Sequence, residues 1–371
     1  MHIVIITSSA KALFNLRKEL VESWVNAGFK VTAIGDLPEE DFRPVCRKHG
    51  FDYRYVTLQR NGLNPFKDLK TLRELTALLR ELKPDKVFLT FAKSIAYGAW
   101  AAKRAGITNV YSLMSGLGSI YRSDSLKTKI VRFVLNPLYK NAFRCSSKVI
   151  FQNKDDLSLL VKRGLVDIDK TIIVNGSGVD LERFEISSLP NNATFLFVGR
   201  LLKEKGIREY INAARIIKAK YPNTRFLAVG DLDTNPSSLQ KEELMKYQEE
   251  GLITFVGFQE DVRPYIRECD YFVLPSYHEG TPRSVLEAMA MGRPILTTDA
   301  PGCRETVNNG INGFLVPVAD TTALAYKMEF FLKHENDAIK MGINSRKIAE
   351  KKYDVEKVNQ DYFHIMDLQP R

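Results

Sequence analysis

The chain has 371 residues, 44% of them hydrophobic and 26% charged, which is too long for one core and too apolar for disorder, so two domains of ordinary size are expected. No apolar run reaches the roughly 18 residues of a membrane span, and the N-terminus enters a strand-like Ile3-Val4-Ile5-Ile6 without a secretory layout, which points to the cytoplasm. Charge is uneven: residues 1–150 hold 25 Lys+Arg against 12 Asp+Glu, a net of +13, and residues 151–371 hold 29 against 32, a net of −3. That surplus favours anionic lipid, a phosphorylated acceptor or nucleic acid as partner. The cysteines, Cys46, Cys145, Cys269 and Cys303, are scattered without metal spacing and read as reduced core thiols.

Short β-branched runs alternate with helical patterns, the mark of a parallel sheet wrapped by helices. In the first half the expected strands are Ile3–Thr7, Lys30–Ile34, Asp52–Tyr55, Lys86–Thr90, Asn109–Leu113 and Lys148–Phe151. Helices are expected over Ala12–Asn26 and Phe66–Leu82, the second stopped by Lys83-Pro84. Leu69, Leu72, Leu75 and Leu79 stand at helical spacing and are expected in the core. A segment near Gly176–Ala193, with Ser187-Ser188-Leu189-Pro190-Asn191-Asn192 and no periodicity, reads as a linker. The pattern then restarts with Thr194–Val198, Arg225–Val229, Ile253–Val256, Tyr271–Leu274 and Pro294–Thr297. The domains are therefore 1–180 and 193–353, both α/β and doubly wound. Ligands of such sheets bind at the carboxyl ends of strands, so a cleft between two of them is the expected site.

Two segments carry chemistry. After the strand Phe195–Val198 the chain reads Gly199-Arg200-Leu201-Leu202-Lys203-Glu204-Lys205-Gly206 before a helix. Cations at a helix N-terminus oppose the macrodipole unless an anion sits among them. A phosphate would supply it, and a solvated basic loop is the alternative. The second segment, Leu274 to Pro294, is a strand, a glycine turn at Gly280, and a helix with Thr281 as N-cap, Pro282 at the first position and Gly292 as stop. Gly280, Ser284 and Glu287 are expected on one helical face, with Glu279 entering from the loop. Two carboxylates beside a diphosphate site suit the hydroxyl donors of sugar and ribose.

Glu279-x7-Glu287, followed by Gly292-Arg293-Pro294, Asp299-Ala300-Pro301-Gly302-Cys303-Arg304-Glu305 and Asn312-Gly313, resembles the signature of the retaining glycosyltransferases with the GT-B fold. The resemblance implies two Rossmann-like domains and a nucleotide sugar as donor. It gives Arg200 and Lys205, beside Gly199, to the donor phosphates, Glu279 to sugar hydroxyls and Glu287 to the ribose. Amides at Thr281, Pro282's successor Arg283 and nearby assist at the β-phosphate, with Gly280 and Ser284 in the same turn. Val256-Gly257-Phe258 is placed beside the base. Retention at the anomeric carbon, without an enzyme nucleophile, metal or cofactor, is implied as well. The last helix, 354–371, is expected to pack back on the first domain.

A bacterial subgroup acting on polyprenyl-diphosphate-linked sugars is similar also at Leu63-Asn64-Pro65-Phe66, Gly116-Leu117-Gly118-Ser119, Val131-Arg132-Phe133-Val134, Leu138-Tyr139-Lys140 and Asn235-Pro236-Ser237. It implies a UDP-N-acetylhexosamine donor and puts Asn15, Arg17, Ser115, Gly116 and Gly118 on the acceptor side. Two departures stand out: Ser115 replaces the histidine or acid of many relatives and is a poor base, and Ser8-Ser9-Ala10 lacks paired glycines.

Other residues read as follows. Asp231-Leu232-Asp233 invites a metal, but the Asn235-Pro236 turn beside it favours a loop. His278 is balanced between a substrate donor and a structural role. Arg122, Lys127, Lys129, Arg132, Lys140, Arg144 and Lys148 interleave with Ile130, Val131, Phe133, Val134, Leu135, Leu138 and Phe143, either as a helix resting on an anionic membrane or as one simply covering the sheet. No nucleic-acid motif is present. A transferase with a lipid-linked acceptor at the inner membrane face is the first reading, one with a soluble acceptor the second, and a binding module without catalysis the third.

Overall fold

The computed structural model describes residues 1–58, 65–118, 121 and 125–369. In chain order, the first part runs β1 (His2–Thr7), α1 (Ala10–Asn26), β2 (Lys30–Gly35), α2 (Glu39–Lys48), β3 (Asp52–Tyr55), α3 (Pro65–Leu82), β4 (Lys86–Thr90), α4 (Ala92–Arg104), β5 (Val110–Met114), α5 (Leu126–Cys145), β6 (Lys148–Phe151), α6 (Lys154–Lys162) and β7 (Thr171–Ile173). The second part runs β8 (Thr194–Val198), α7 (Ile207–Lys220), β9 (Arg225–Val229), α8 (Lys241–Glu249), β10 (Thr254–Gly257), α9 (Arg263–Glu268), β11 (Tyr271–Leu274), α10 (Arg283–Ala290), β12 (Ile295–Thr298), β13 (Gly313–Val316), α11 (Thr321–Lys333) and α12 (Glu335–Ile348). α13 (Val355–Ile365) closes the chain.

Contacts divide the chain into two compact units, Met1–Ser177 with Val358–Arg371, and Gly178–Lys357. The first holds a seven-stranded sheet in the order β3-β2-β1-β4-β5-β6-β7, the second a six-stranded sheet in the order β10-β9-β8-β11-β12-β13. Every pairing between these strands is parallel, with β1 in register with both β2 (Ile3 with Val31) and β4 (Val4 with Val87). β1 and β8 are interior strands with helices on both faces of the sheet; Ile3–Ile6 and Phe195–Phe197 are accordingly buried without alternation. In the second unit the Tyr210 hydroxyl of α7 donates to Phe195 O (2.9 Å) and Leu227 O (3.1 Å), tying the helix across β8 and β9. Among the described residues no helix is long and apolar enough to cross a membrane.

The expected strands are present, and β7 and β13 add to them at sheet edges. The aperiodic segment before β8 is packed within the second unit: Phe184 is buried, and the Asn191, Asn192 and Thr194 amides all donate to the Asp270 carboxylate at 2.7–3.1 Å. In α13, Tyr362 stands edge-on to Phe88 at 5.7 Å and Val358, Phe363 and Met366 are buried with α1 and β1. Leu72, Leu75 and Leu79 are core, but Leu69 is exposed. Each three-residue step falls about 60° short of a turn, so Leu69 lies about 120° round α3 from Leu75.

Candidate active site

The two chemistry-bearing segments leave the carboxyl ends of β8 and β11. These strands are neighbours, and strand order reverses between them, because β9 and β10 lie to one side and β12 and β13 to the other. A crevice opens at such a switch point.

The loop after β8 is set by glycine. The Gly199 amide donates to Val229 O at 2.9 Å, and a Cβ on Gly230 would stand 1.9 Å from Gly199 O. Arg200 follows, half-exposed, with its guanidinium on the Asp233 carboxylate at 2.8 Å. Lys205 ends the short turn Lys203–Lys205, and Gly206 continues at φ 76° into α7. A Cβ at Gly206 would meet Pro275 O at 2.0 Å, so only glycine lets the turn press on the loop after β11. Glu204 O accepts there from Tyr277 N at 2.9 Å and Ser276 Oγ at 3.0 Å. The Lys205 ammonium is hydrogen-bonded to the Glu279 carboxylate, both largely buried.

Glu279 is fixed through its backbone. Its amide donates to Pro301 O at 2.8 Å, and Gly302, at φ 78°, has room for no Cβ because Glu279 O would lie 2.2 Å away. Behind it the Cys303 thiol is pushed up to about 12 by burial, with the Glu279 charge adding to the effect. α10 starts one residue later than the sequence suggests. Pro282 holds ψ 110° as N-cap without a side-chain cap bond, so helical dihedrals begin at Arg283, Thr281 is not the cap, and Gly280 lies outside the helix. Ser284 and Glu287 do share it: Ser284 Oγ donates to Val198 O at 3.0 Å, and Glu287 accepts from Arg283 Nε at 3.1 Å. The first N–H groups of a helix have no partner within it, which makes this end attractive to an anion. Gly292, at φ 79°, and Arg293 close α10 with amide bonds to Met289 O and Ala288 O.

Phe258 follows β10 and is 66% exposed; Gly257 O accepts from the Gly230 amide at 2.9 Å, linking this loop to the one after β9. Asp233 bonds Arg200, its other oxygen accepts from the Asn235 amide at 2.9 Å, and Asp231 accepts from Leu232 N at 2.9 Å. The segment is thus a turn closed on itself. His278 is buried.

In the first unit, Ser115, Gly116 (φ 144°) and Gly118 (φ 65°) follow β5 at the carboxyl edge, and Asn15 is exposed on α1. Arg17 departs from the acceptor-side expectation: it is buried, its guanidinium donating to Gly176 O at 3.1 Å and lying 5.6 Å over the Tyr362 ring. Leu63, Asn64, Ser119 and Arg122 lie outside the described residues. Two features had no sequence signal. Phe91 enters α4 at φ 66° and ψ 155°, a strained conformation at the carboxyl edge of β4, and the largely buried Lys93 ammonium bonds Asp68 at 2.9 Å.

Comparison with known proteins gives the family. Residues 192–334 match the family "Glycosyl transferases group 1" and residues 17–176 the "Glycosyl transferase 4-like domain". The N,N'-diacetylbacillosaminyl-diphospho-undecaprenol alpha-1,3-N-acetylgalactosaminyltransferase of Campylobacter jejuni is 29% identical, over 99% of this chain and 98% of that protein. The UDP-Gal:alpha-D-GlcNAc-diphosphoundecaprenol alpha-1,3-galactosyltransferase of Escherichia coli is 29% identical, over 76% of this chain and 78% of its own. Among solved structures, Anabaena Alr3699/HepE in complex with UDP-glucose superposes with a TM-score of 0.81 at 19% identity over the whole of both chains. Sucrose-phosphate synthase from Thermosynechococcus elongatus gives 0.82 at 21%, covering 99% of this chain and 98% of the other. With two parallel α/β sheets of the GT-B kind and both halves matched, the chain belongs to the group 1 glycosyl transferases and is a retaining-type glycosyltransferase.

Proposed function

We propose that the protein moves a sugar, with an N-acetylhexosamine such as N-acetylgalactosamine as first candidate, from a UDP-sugar to a polyprenyl-diphosphate-linked saccharide in bacterial glycan assembly, without a metal. The observation that carries the donor half is the convergence of Arg200, Lys205, Glu279, Glu287 and the start of α10 at the β8–β11 switch. Arg200 and Lys205 take the diphosphate with amides from Thr281 and Arg283, Glu279 takes sugar hydroxyls, Glu287 the ribose, and Phe258 flanks the base. Gly199 and Gly280 let backbone approach, and Ser284 anchors α10 to β8. The cations arrive paired with carboxylates, so the side chains are held before the donor comes and need little ordering when it binds.

In the reaction the bond from the anomeric carbon to the β-phosphate oxygen breaks, and negative charge grows on that phosphate. Arg200, Lys205 and the helix amides stabilise it, at about 3–4 kcal/mol for a well-placed donor. The acceptor hydroxyl attacks on the face the phosphate leaves and gives it the proton, so Ser115 is not required as a base. The acceptor half rests on the two diphospho-undecaprenol relatives, with Asn15, Ser115, Gly116 and Gly118 as the residues offered to it.

The test is transfer from a panel of UDP-sugars to a polyprenyl-diphosphate-linked saccharide in excess EDTA, with the product's anomeric configuration read by NMR. An α-linked product from UDP-N-acetylgalactosamine is expected. An inverted product, or turnover only with added manganese, contradicts the mechanism, and turnover only with a soluble sugar acceptor contradicts the acceptor.

A further inference from the structure

α5 has two apolar faces, and the fold uses one. Leu135, Tyr139, Ala142 and Phe143 are buried in the core that includes α4. On the opposite face Leu126, Ile130 and Phe133, at steps of four and three, are 75%, 58% and 81% exposed. The same straight band continues through Pro137, Lys140 and Arg144, all exposed, in steps of four, three and four. It is apolar where α5 begins, on the carboxyl side of β5, and basic where it ends before β6. A helix that merely covers a sheet turns polar residues outward, whereas large apolar side chains in a row on a surface mark a contact.

The basic end is shaped. A cleft of about 290 Å³ opens between the last turns of α5 and the turn from Gly164 to Asp167, with Phe143, Leu165 and Val166 as apolar floor and Lys140 and Arg144 on its wall. Lys170 is committed to Arg144 O at 2.9 Å and Ser146 O at 3.0 Å, bracing the helix end. The cleft's one carboxylate, Asp167, accepts from the Asp169 amide at 3.3 Å. On its other side Arg144 lines a second cleft, of about 330 Å³, with Lys103. Cations above an apolar floor match a phosphate attached to a lipid body. A second copy of the chain matches poorly: antiparallel pairing of the band about its midpoint sets Ile130 against Lys140 and Leu126 against Arg144, and parallel pairing sets like charges together.

We infer that this band of α5 lies in the headgroup layer of an anionic bilayer, with Leu126, Ile130 and Phe133 below the phosphates and Lys140 and Arg144 on a lipid phosphate at the mouth of the cleft. The inference rests on the lipid-linked reading of the acceptor for its purpose, and names the surface from which that acceptor is reached.

The experiment is flotation of the full chain with vesicles of phosphatidylcholine alone or with about 30 mol% phosphatidylglycerol. Wild type, Ile130→Glu/Phe133→Glu and Lys140→Glu/Arg144→Glu are compared, and each is also assayed for transfer to a short-chain acceptor in detergent. The wild type is expected to partition to anionic vesicles at least about 10-fold better than to neutral ones, and each double variant to lose at least about 10-fold while short-chain transfer is unchanged. Absence of flotation, equal flotation with neutral vesicles, or variants that float like wild type overturns the inference. So does release by millimolar inorganic phosphate beyond that by chloride of equal ionic strength, which assigns the cleft to free phosphate, or a dimer abolished by Phe133→Glu without flotation. Flotation without transfer from any donor would instead count against the proposed function.

Discussion

Lys205 and Glu279, 74 residues apart in sequence, are hydrogen-bonded across the β8–β11 switch, with side chains 23% and 12% exposed. In the proposed reaction one faces the diphosphate and the other the sugar, and each holds the other in place. Lys205→Ala and Glu279→Ala are each expected to lower kcat/KM by about 10²–10³-fold. Each also strands a partly buried charge, so the double variant should be destabilised by less than the sum of the singles, measured by urea unfolding. Wild-type turnover in either single variant contradicts the assignment.

Arg200 is held by Asp233 at 2.8 Å, on a turn whose two aspartates invite a metal but whose sequence reads as a loop. Asp233→Asn is expected to keep activity in EDTA and to raise the donor KM by less than loss of Arg200 does, because the guanidinium loses the partner that holds it but keeps its charge. Arg200→Ala is expected to raise the donor KM by about 10-fold or more. Loss of turnover in Asp233→Asn, with manganese dependence in the wild type, would return the segment to metal binding.

Gly302 and Gly310 share the left-handed conformation, at φ 78° and 81°. A Cβ at Gly302 would lie 2.2 Å from Glu279 O, while Gly310 has nothing within 4 Å. Gly310→Ala should cost about 1 kcal/mol and leave transfer intact. Gly302→Ala should cost more, about 2–3 kcal/mol, and impair transfer by displacing Glu279. Thermal melts and a transfer assay on the same preparations separate the two.

Burial pushes the Cys46, Cys269 and Cys303 thiols from an ordinary 9.0 to about 12. The folded chain therefore keeps them protonated where the unfolded chain releases them. Stability is expected to be intact below pH 9 and to fall as pH rises from about 9 toward 12, the window between unfolded and folded values. At pH 8 a thiol reagent should modify the partly exposed Cys145 quickly and the other three only on unfolding. Rapid native labelling of Cys303 would show that the Glu279 loop opens.

Most strands and the Glu279–Glu287 segment were legible because their signals are local: unbroken β-branched runs, a glycine turn, a helix stop at Gly292. β7 and β13 were not. β7 is a three-residue edge strand with Ile172 and Ile173 partly exposed, and β13 opens on Gly313, where a Cβ would stand 1.8 Å from Ile295 O. The brace of Glu204, Ser276 and Tyr277 on the Lys205 turn was hidden because its partners lie about 70 residues apart. Arg17 misled for a related reason: sequence shows a cation on a surface helix, and only the return of the chain as α13 buries it under Tyr362.

The most direct test of the account is a crystal structure of the complex with UDP. The pyrophosphate is expected within hydrogen-bonding distance of the Arg200 guanidinium, the Lys205 ammonium and the amides at the start of α10, with the ribose on Glu287. A nucleotide bound away from the carboxyl ends of β8 and β11, or Arg200 and Lys205 still on Asp233 and Glu279 with no phosphate contact, would contradict it.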